Sequence, residues 1–442
     1  MGPPNVLFIT CHDLGQHLGC YGQRTVASPA LDRLAASGVR FARSFCTAPQ
    51  CSPSRAALHT GLYPHAAGVL GLAHHPYGWR LDPTVPHTAH LLGQHGYRTT
   101  LVGMQHLIDR GSAHELGYER VLPVAPAYDE AEATVALLGE LARSEAPFYL
   151  EVGFEEPHRP YDFGGAEPDT SRGVAVPAYL PDAPQSRADL AAFQGAIRQM
   201  DAGVGRILAA LDQLGLQDQT CVIFVTDHGA AMPRAKCTLY DPGIEVALLW
   251  RWPSAGLSGG RVIAELISNV DVTPTLFDGL RLPAPPSVQG RSVWPLLRGE
   301  PYLPRAEIFA EKTFHTYYEP MRAVRTAGAK LIINFEVSTA VDVPSDIRAS
   351  PIYPLVQPAF DVVRQPVELY DLAADPWEQH NLAGEAAVAA LEADLRQRLL
   401  QWMAETGDPL LHGPVASPYY ADALRHLHGN AADLTTCDSP LI

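Results

Sequence analysis

Long apolar runs are missing from this 442-residue sequence. Stretches such as VLFIT at 6–10 fall far short of the ~20 residues a membrane helix needs, so no membrane partner is expected. The opening MGPPNVLFIT has neither a basic leader region nor a cleavable apolar one. It reads as the first strand of the fold, which predicts a cytoplasmic protein. Basic residues are in short supply: 32 Lys and Arg against 48 Asp and Glu give a net charge of −16. Such a surface repels nucleic acid and anionic lipid, so neither is an expected partner. A small anionic substrate stays open if its pocket brings local cations, and the 18 histidines are a source of them. Cysteines number seven, odd and irregularly spaced, which argues against a disulfide framework or a CxxC zinc site and for reduced thiols. Internal repeats and low-complexity tracts are absent too. What is present is a globular composition, 47% hydrophobic and 18% charged.

The length exceeds the ~100–200 residues of one typical domain. The pattern along the chain predicts a large α/β domain over 1–300 and a smaller α+β subdomain over 301–442. Residues 5–10, 99–103, 148–153, 221–226 and 246–250 read as strands too apolar to be exposed on either face. Helices alternate with them. Ser28 and Pro29 suggest an N-cap and first turn, closed by Gly38. Residues 189–214 carry Leu190, Phe193, Ile197, Met200, Val204, Ile207 and Leu211 at helical spacing. Asp201 inside that stripe has no role legible in the sequence. The alternation predicts a mostly parallel central sheet flanked by helices, with ligands at the C-terminal ends of its strands. Beyond residue 300, segments 306–311 and 322–335 read as antiparallel strands turning at Ala327-Gly328. Residues 385–405 read as a helix with Val388, Leu391, Leu395, Leu399 and Met403 on its packing stripe. Segments 340–366 and 408–442 show no periodicity.

The strand ends concentrate chemistry. The first strand leads to His12-Asp13, 99–103 to His106, 148–153 to His158, and 221–226 to Asp227-His228. Four strands thus deliver a histidine to one sheet edge, and two add an aspartate. Asp and His are ordinary ligands of a divalent metal. Cys51 opens CSPSRAALHTG at a predicted helix start, where the dipole favours an anion, and Arg55 lies one turn on. From residue chemistry alone, a thiolate nucleophile and an ordinary loop cysteine are both open.

At this run the sequence resembles the type I, formylglycine-dependent sulfatases, whose signature is C-x-P-S-R followed by x-x-x-x-T-G. GLYPHAAGVLG at 61–71, PHRPY at 157–161, TDHG at 226–229 and ELYDLAADPWEQHNLA at 368–383 resemble further landmarks of that family in the same order. Within it, GLAHH, MPRAKCTLYDPG and HTYYEPMRAVR are similar to the N-sulfoglucosamine sulfohydrolase (heparan N-sulfatase) branch and its bacterial relatives. The resemblance spans about residues 4–405. It implies an alkaline-phosphatase-like fold and a sulfuric ester or sulfamate hydrolase acting on a sulfated sugar such as N-sulfoglucosamine. It implies that a formylglycine-generating enzyme converts Cys51 to formylglycine (3-oxoalanine), whose hydrate attacks sulfur. His12, Asp13, Cys51, Asp227 and His228 match the metal positions. Arg55 matches the residue holding the hydrate, and His106 the histidine near the sulfate. His158 matches the histidine near the leaving group, and Lys236 the lysine touching sulfate and bridging atom. His74, His315 and Arg322 are further candidates for substrate contact.

Three departures separate this chain from the family pattern: His12-Asp13 where two aspartates are usual, Asp227-His228 for Asp-Asn, and Met104 for a lysine. Extra imidazoles shift the expected single divalent ion from calcium toward manganese, zinc or iron. One of the histidines is expected to carry the charge lost at Met104. The Asp-His pair also resembles formylglycine-bearing phosphonate monoester hydrolases, so phosphodiester hydrolysis is an alternative. A non-catalytic sulfatase-like binding protein is a third reading. His17, His59, His65, His87, His90 and His95 are expected on the surface or at helix caps. A homo-oligomer is compatible with the composition.

Overall fold

A computed structural model describes residues 2–337 and 341–428. Twelve strands are present among them: β1 (Asn5–Cys11), β2 (Val39–Phe45), β3 (Arg98–Gly103), β4 (Arg120–Leu122), β5 (Phe148–Gly153), β6 (Thr220–Thr226), β7 (Leu248–Arg251), β8 (Arg261–Ser268), β9 (Glu307–Phe314), β10 (Tyr318–Thr326), β11 (Ala329–Asn334) and β12 (Val367–Asp371). The first eight form one sheet in the order β4-β3-β5-β1-β6-β7-β2-β8. All its pairings are parallel except those of β7, which runs antiparallel to β6 and β2. The chain is α/β with a mostly parallel sheet, as the apolar runs predict.

Burial on both faces follows from alternation along the strands. Leu7 and Ile9 of β1 pack beneath helices α1 (Pro29–Ser37), α3 (Ala127–Leu141) and α4 (Pro184–Gln213), while Val6 and Phe8 face the opposite layer. That second layer includes helix α2 (Cys51–Thr60). All seven apolar residues of the predicted 189–214 stripe are buried, and the helix begins earlier, at Pro184 in its first turn. The thirty-residue α4 also explains Asp201. Its two carboxylate oxygens accept from the N–H groups of Ala30 (2.9 Å) and Leu31 (2.8 Å) at the start of α1. Ser28 is therefore not the side-chain cap its position suggests; its hydroxyl donates to Asp32 and accepts from the Gly19 N–H. Gly38 does end α1, where a Cβ would lie 2.6 Å from the Trp250 carbonyl oxygen.

The second sheet is antiparallel in the order β12-β11-β10-β9. Its helix α5 (Ala389–Thr406) packs Leu395, Leu399, Trp402 and Met403 against Val324, Leu331 and Leu369. Leu391, predicted on that stripe, lies one turn too early and is 39% exposed. The two sheets share a core of Phe45, Leu239 and Ile244 against Ile308, Ala310 and Ala323. The unpatterned segment 340–366 contains short helices Ser345–Arg348 and Tyr353–Phe360, and 408–442 contains Tyr420–His428. The rest of that last segment, 429–442, lies outside the described residues. No described helix is long and apolar enough to cross a membrane. The six described cysteines are free thiols.

Candidate active site

The strands β3, β5, β1 and β6 are consecutive neighbours in the sheet. Their C-terminal ends therefore lie side by side, and the four histidines that follow them converge. His12 packs 5.8 Å from His106 and 5.6 Å from His158, ring centre to ring centre. Asp13 and His106 both take left-handed backbone conformations (φ 51° and 59°), unusual for non-glycine residues and frequent where a chain turns sharply to present a side chain. Cys51 sits on the opposite wall as the first residue of α2, its Sγ 3.3 Å from His228 Nε2.

The site is a buried charge lattice. The Asp227 carboxylate lies 3.2 Å from Arg55 Nε and 3.2 Å from His12 Nδ1, and accepts from the Asp13 (3.0 Å) and His228 (2.9 Å) N–H groups. Asp13 lies 3.0 Å from His228 Nε2 and accepts from Lys236 Nζ at 2.8 Å. Burial disfavours the Asp13 carboxylate, but the Lys236 and His228 charges outweigh it and hold the group far below the usual range. Burial likewise opposes a thiolate at Cys51. Lys236 and His228, with hydrogen bonds to His106 and His12, overcome it and push the thiol well below its ordinary value. Cys51 is thus activated, unlike Cys11 and Cys46, whose thiols burial pushes up.

His12, Asp13, Cys51 and Asp227 each offer a ligand atom within 4.8 Å of the others. The nitrogens of His12 and Oδ1 of Asp13 are buried without an aligned hydrogen bond. Anionic, mixed N/O/S and orphaned donors of this kind fit a divalent ion. His228 borders the same set through Asp13 and Cys51.

Two sequence-based expectations change here, and a third holds. Arg55 does not reach residue 51 by hydrogen bond. Its guanidinium is spent on Asp227, the Thr10 hydroxyl and the Cys11 carbonyl, so it fixes Asp227 and acts on residue 51 through charge. Arg322 is fully buried and tied to Asp408, Glu311 and the Lys312 carbonyl, with no donor left for a substrate. The charge lost at Met104 is answered by the extra imidazoles rather than by His74 and His106: burial and Arg55 oppose a charge on His12, but Asp227 outweighs them and pushes it up to about 9, and against burial Asp227 and Asp13 hold His228 well above its ordinary value. His74 Nδ1 lies 2.6 Å from His106 Nε2, and burial together with that contact pushes His74 down to about 4, while burial lowers His106. His315 is buried beside the site and pushed down to about 3 by burial and by Lys236 and Lys312.

Other residues were not legible in the sequence. Asp346 accepts from Lys236 Nζ at 2.7 Å. Asn269 donates to the Ser54 hydroxyl (2.9 Å) and carbonyl, locking the first turn of α2. His59 and His87, expected at the surface or at caps, are buried beneath the sheet beside Glu151, although His87 does cap a helix through the Ala89 N–H.

The family description "Sulfatase" matches residues 4–281, and "N-sulphoglucosamine sulphohydrolase, C-terminal" matches 234–405. The chain belongs to the sulfatase family. This sulfatase is 31% identical to human N-sulphoglucosamine sulphohydrolase, over 93% of this chain and 92% of that one. Its fold is similar to the phosphonate monoester hydrolase of Agrobacterium radiobacter (TM-score 0.72, 24% identity, 91% and 96% of the chains). It is also similar to a protein solved with its substrate D-glucosamine-2-N,6-O-disulfate (TM-score 0.71, 19% identity, 93% and 99%). The sulfatase is accordingly a hydrolase of sulfate esters or sulfamates, and the non-catalytic reading falls away.

Proposed function

We propose that this sulfatase uses Cys51 as formylglycine, together with one divalent ion, to hydrolyse a sulfated sugar of the N-sulfoglucosamine type. The observation that carries the reading is Cys51 itself: inside its CSPSR run, at a helix start, walled by Lys236 and three histidines. The likeness to human N-sulphoglucosamine sulphohydrolase over nearly the whole chain supports the substrate class.

The hydrated aldehyde would supply a nucleophilic oxygen and, by collapsing back, a way to expel sulfate that a plain thiol lacks. A divalent ion held by His12, Asp13, Asp227 and His228 would supply positive charge to the sulfuryl oxygens; the imidazoles favour manganese or zinc over calcium. The chain's own residues do the rest. His106 donates to the sulfuryl group as charge spreads over its oxygens, and the Lys236 ammonium adds its charge beside them. Arg55 holds Asp227 in place and keeps the field at residue 51 positive.

Proton supply belongs to the Lys236–His158 pair. His158 Nδ1 faces the Arg159 carbonyl oxygen, which only accepts, so Nδ1 carries the proton of the neutral ring. Nε2 then presents a lone pair to Lys236 Nζ, 3.3 Å away. The leaving-group proton therefore starts on Lys236, and His158, which the resemblance places near the leaving group, relays its replacement. The protein is proposed to act in the cytoplasm, after a formylglycine-generating enzyme has modified it.

Phosphodiester or phosphonate monoester hydrolysis is the second reading, favoured by the two imidazoles of His12 and His228 at the metal set. The test is kcat/KM on N-sulfoglucosamine, 4-nitrophenyl sulfate and bis(4-nitrophenyl) phosphate under one set of conditions. The reading expects both sulfuryl compounds to exceed the phosphodiester. Preference for the phosphodiester would reverse the assignment.

A further inference from the structure

Lys236 carries three N–H donors and meets three acceptors. They are Asp13 Oδ2 at 2.8 Å, Asp346 Oδ2 at 2.7 Å and His158 Nε2 at 3.3 Å. The carboxylate contacts are short and charge-assisted; the imidazole contact is longer and the weakest of the three. The imidazole side also has the most access to solvent: the His158 side chain is 25% exposed, against 16% for Asp346 and 0% for Asp13. An incoming leaving atom can therefore claim the third N–H most easily, while the two carboxylates keep the other two.

One carboxylate would suffice to neutralise one ammonium, and Asp13 already does so. The second anion comes from a separate element, the short helix Ser345–Arg348 in the segment without periodicity. Its position is fixed from several sides. Ile347 is buried with Val343 and Ala231, and Arg348 Nε donates to the Val343 carbonyl at 3.0 Å. Just beyond the helix, the Ser350 hydroxyl donates to Asp189 at 2.9 Å. Asp189 in turn pairs with Arg159, the residue after His158. Asp346 Oδ1 accepts from the Ile347 N–H at 2.9 Å, which leaves Oδ2 aimed at Lys236. The helix and the His158 turn thus form one braced unit around the ammonium.

We infer that Asp346 is a positioning residue: together with Asp13 it pins two N–H groups of Lys236 so that the third points at the leaving atom of the substrate. The inference rests on the hydrolase reading above. In the step it serves, the bond from sulfur to the leaving nitrogen or oxygen breaks, and its electron pair stays on that atom. A proton passes to it from Lys236 Nζ, and the resulting amine regains a proton from solvent through His158.

The consequence is selective. A sugar amine or alkoxide needs the proton, whereas 4-nitrophenolate leaves without it. The experiment compares kcat and KM of the wild type, D346N and D346E on N-sulfoglucosamine and 4-nitrophenyl sulfate, in metal-loaded enzyme with residue 51 converted. Asp346→Asn keeps the shape and the contact to Ile347 but removes the charge. The expected loss for D346N is on the order of 10²-fold on N-sulfoglucosamine, mainly in kcat, and at least about tenfold smaller on the aryl sulfate. Asp346→Glu, which restores the anion, should recover part of that ratio. Equal losses on both substrates, a change confined to KM, or no loss on either would overturn the positioning role. If the wild type turns over phosphodiesters but neither sulfuryl compound, the sulfohydrolase reading fails instead. The same ratio between alkyl and 4-nitrophenyl phosphodiesters then decides the role of Asp346.

Discussion

At the scale of single residues, the site is a set of opposed charges kept apart from water. Asp13 is its hinge. One oxygen lies beside His228 and the other on Lys236, so it joins the metal set to the proton donor. Asp13→Ala should lose bound metal and turnover together; elemental analysis showing unchanged metal stoichiometry would remove strand β1 from the metal set. Replacing Lys236 with Met should cost on the order of 10²–10⁴-fold on N-sulfoglucosamine, the range of a positioned acid, and clearly less on 4-nitrophenyl sulfate. Equal losses would mean that Lys236 serves the sulfuryl group alone. The residues that carry this chemistry were readable because each follows an apolar strand or lies in a motif. Asp346 was not, because it comes from a segment with no period to place it. Arg322 misled for the opposite reason: it lies in a motif-like run, yet it points inward to Asp408.

At the scale of elements, the apolar runs identified the central strands and missed β2, β4 and β8. Those three lie at or next to the edges of the sheet, where residues such as Arg40, Arg43, Arg120 and Glu265 face outward, so the continuous apolar signature is lost. The long helix α4 shows how an element does more than pack. Asp201 reaches across to satisfy two backbone donors of α1, a cap supplied by a distant residue. Asp201→Ala should therefore cost about 2 kcal/mol of stability, the range of a lost cap with charged hydrogen bonds. Urea unfolding measures it, and kcat/KM of the folded fraction should not change. A midpoint equal to the wild type's would show that α1 needs no such cap.

At the scale of the whole molecule, a buried ionic clamp joins the two sheets. Asp241, beyond the C-terminal end of β6, lies 2.7 Å from Arg325 of β10 and 2.6 Å from Lys330 of β11. No sequence pattern announces such a pair, since its partners are about ninety residues apart and meet only after both sheets form. Burial works against the Asp241 charge, but Lys330 and Arg325 prevail and hold the carboxyl down at about 2. A carboxyl depressed on folding stabilises fully above its unfolded value, and that contribution is lost as pH falls from there toward about 2. Asp241→Asn should cost about 2–3 kcal/mol at pH 7, since Arg325 loses its carboxylate partner while Lys330 keeps Glu378 at 2.7 Å. The gap to the wild type should narrow steadily in urea titrations between pH 4 and about 2. A gap independent of pH would locate the effect in packing rather than charge.

All of this serves residue 51, and the most direct test is to measure activity against the fraction of Cys51 converted. Coexpression with varying amounts of a formylglycine-generating enzyme gives preparations that peptide mass spectrometry can rank by the shift of about −18 Da from thiol to aldehyde. The account predicts that kcat on N-sulfoglucosamine rises in proportion to the converted fraction and extrapolates to near zero for the unmodified thiol. Full turnover by protein whose residue 51 retains the mass of cysteine would contradict it.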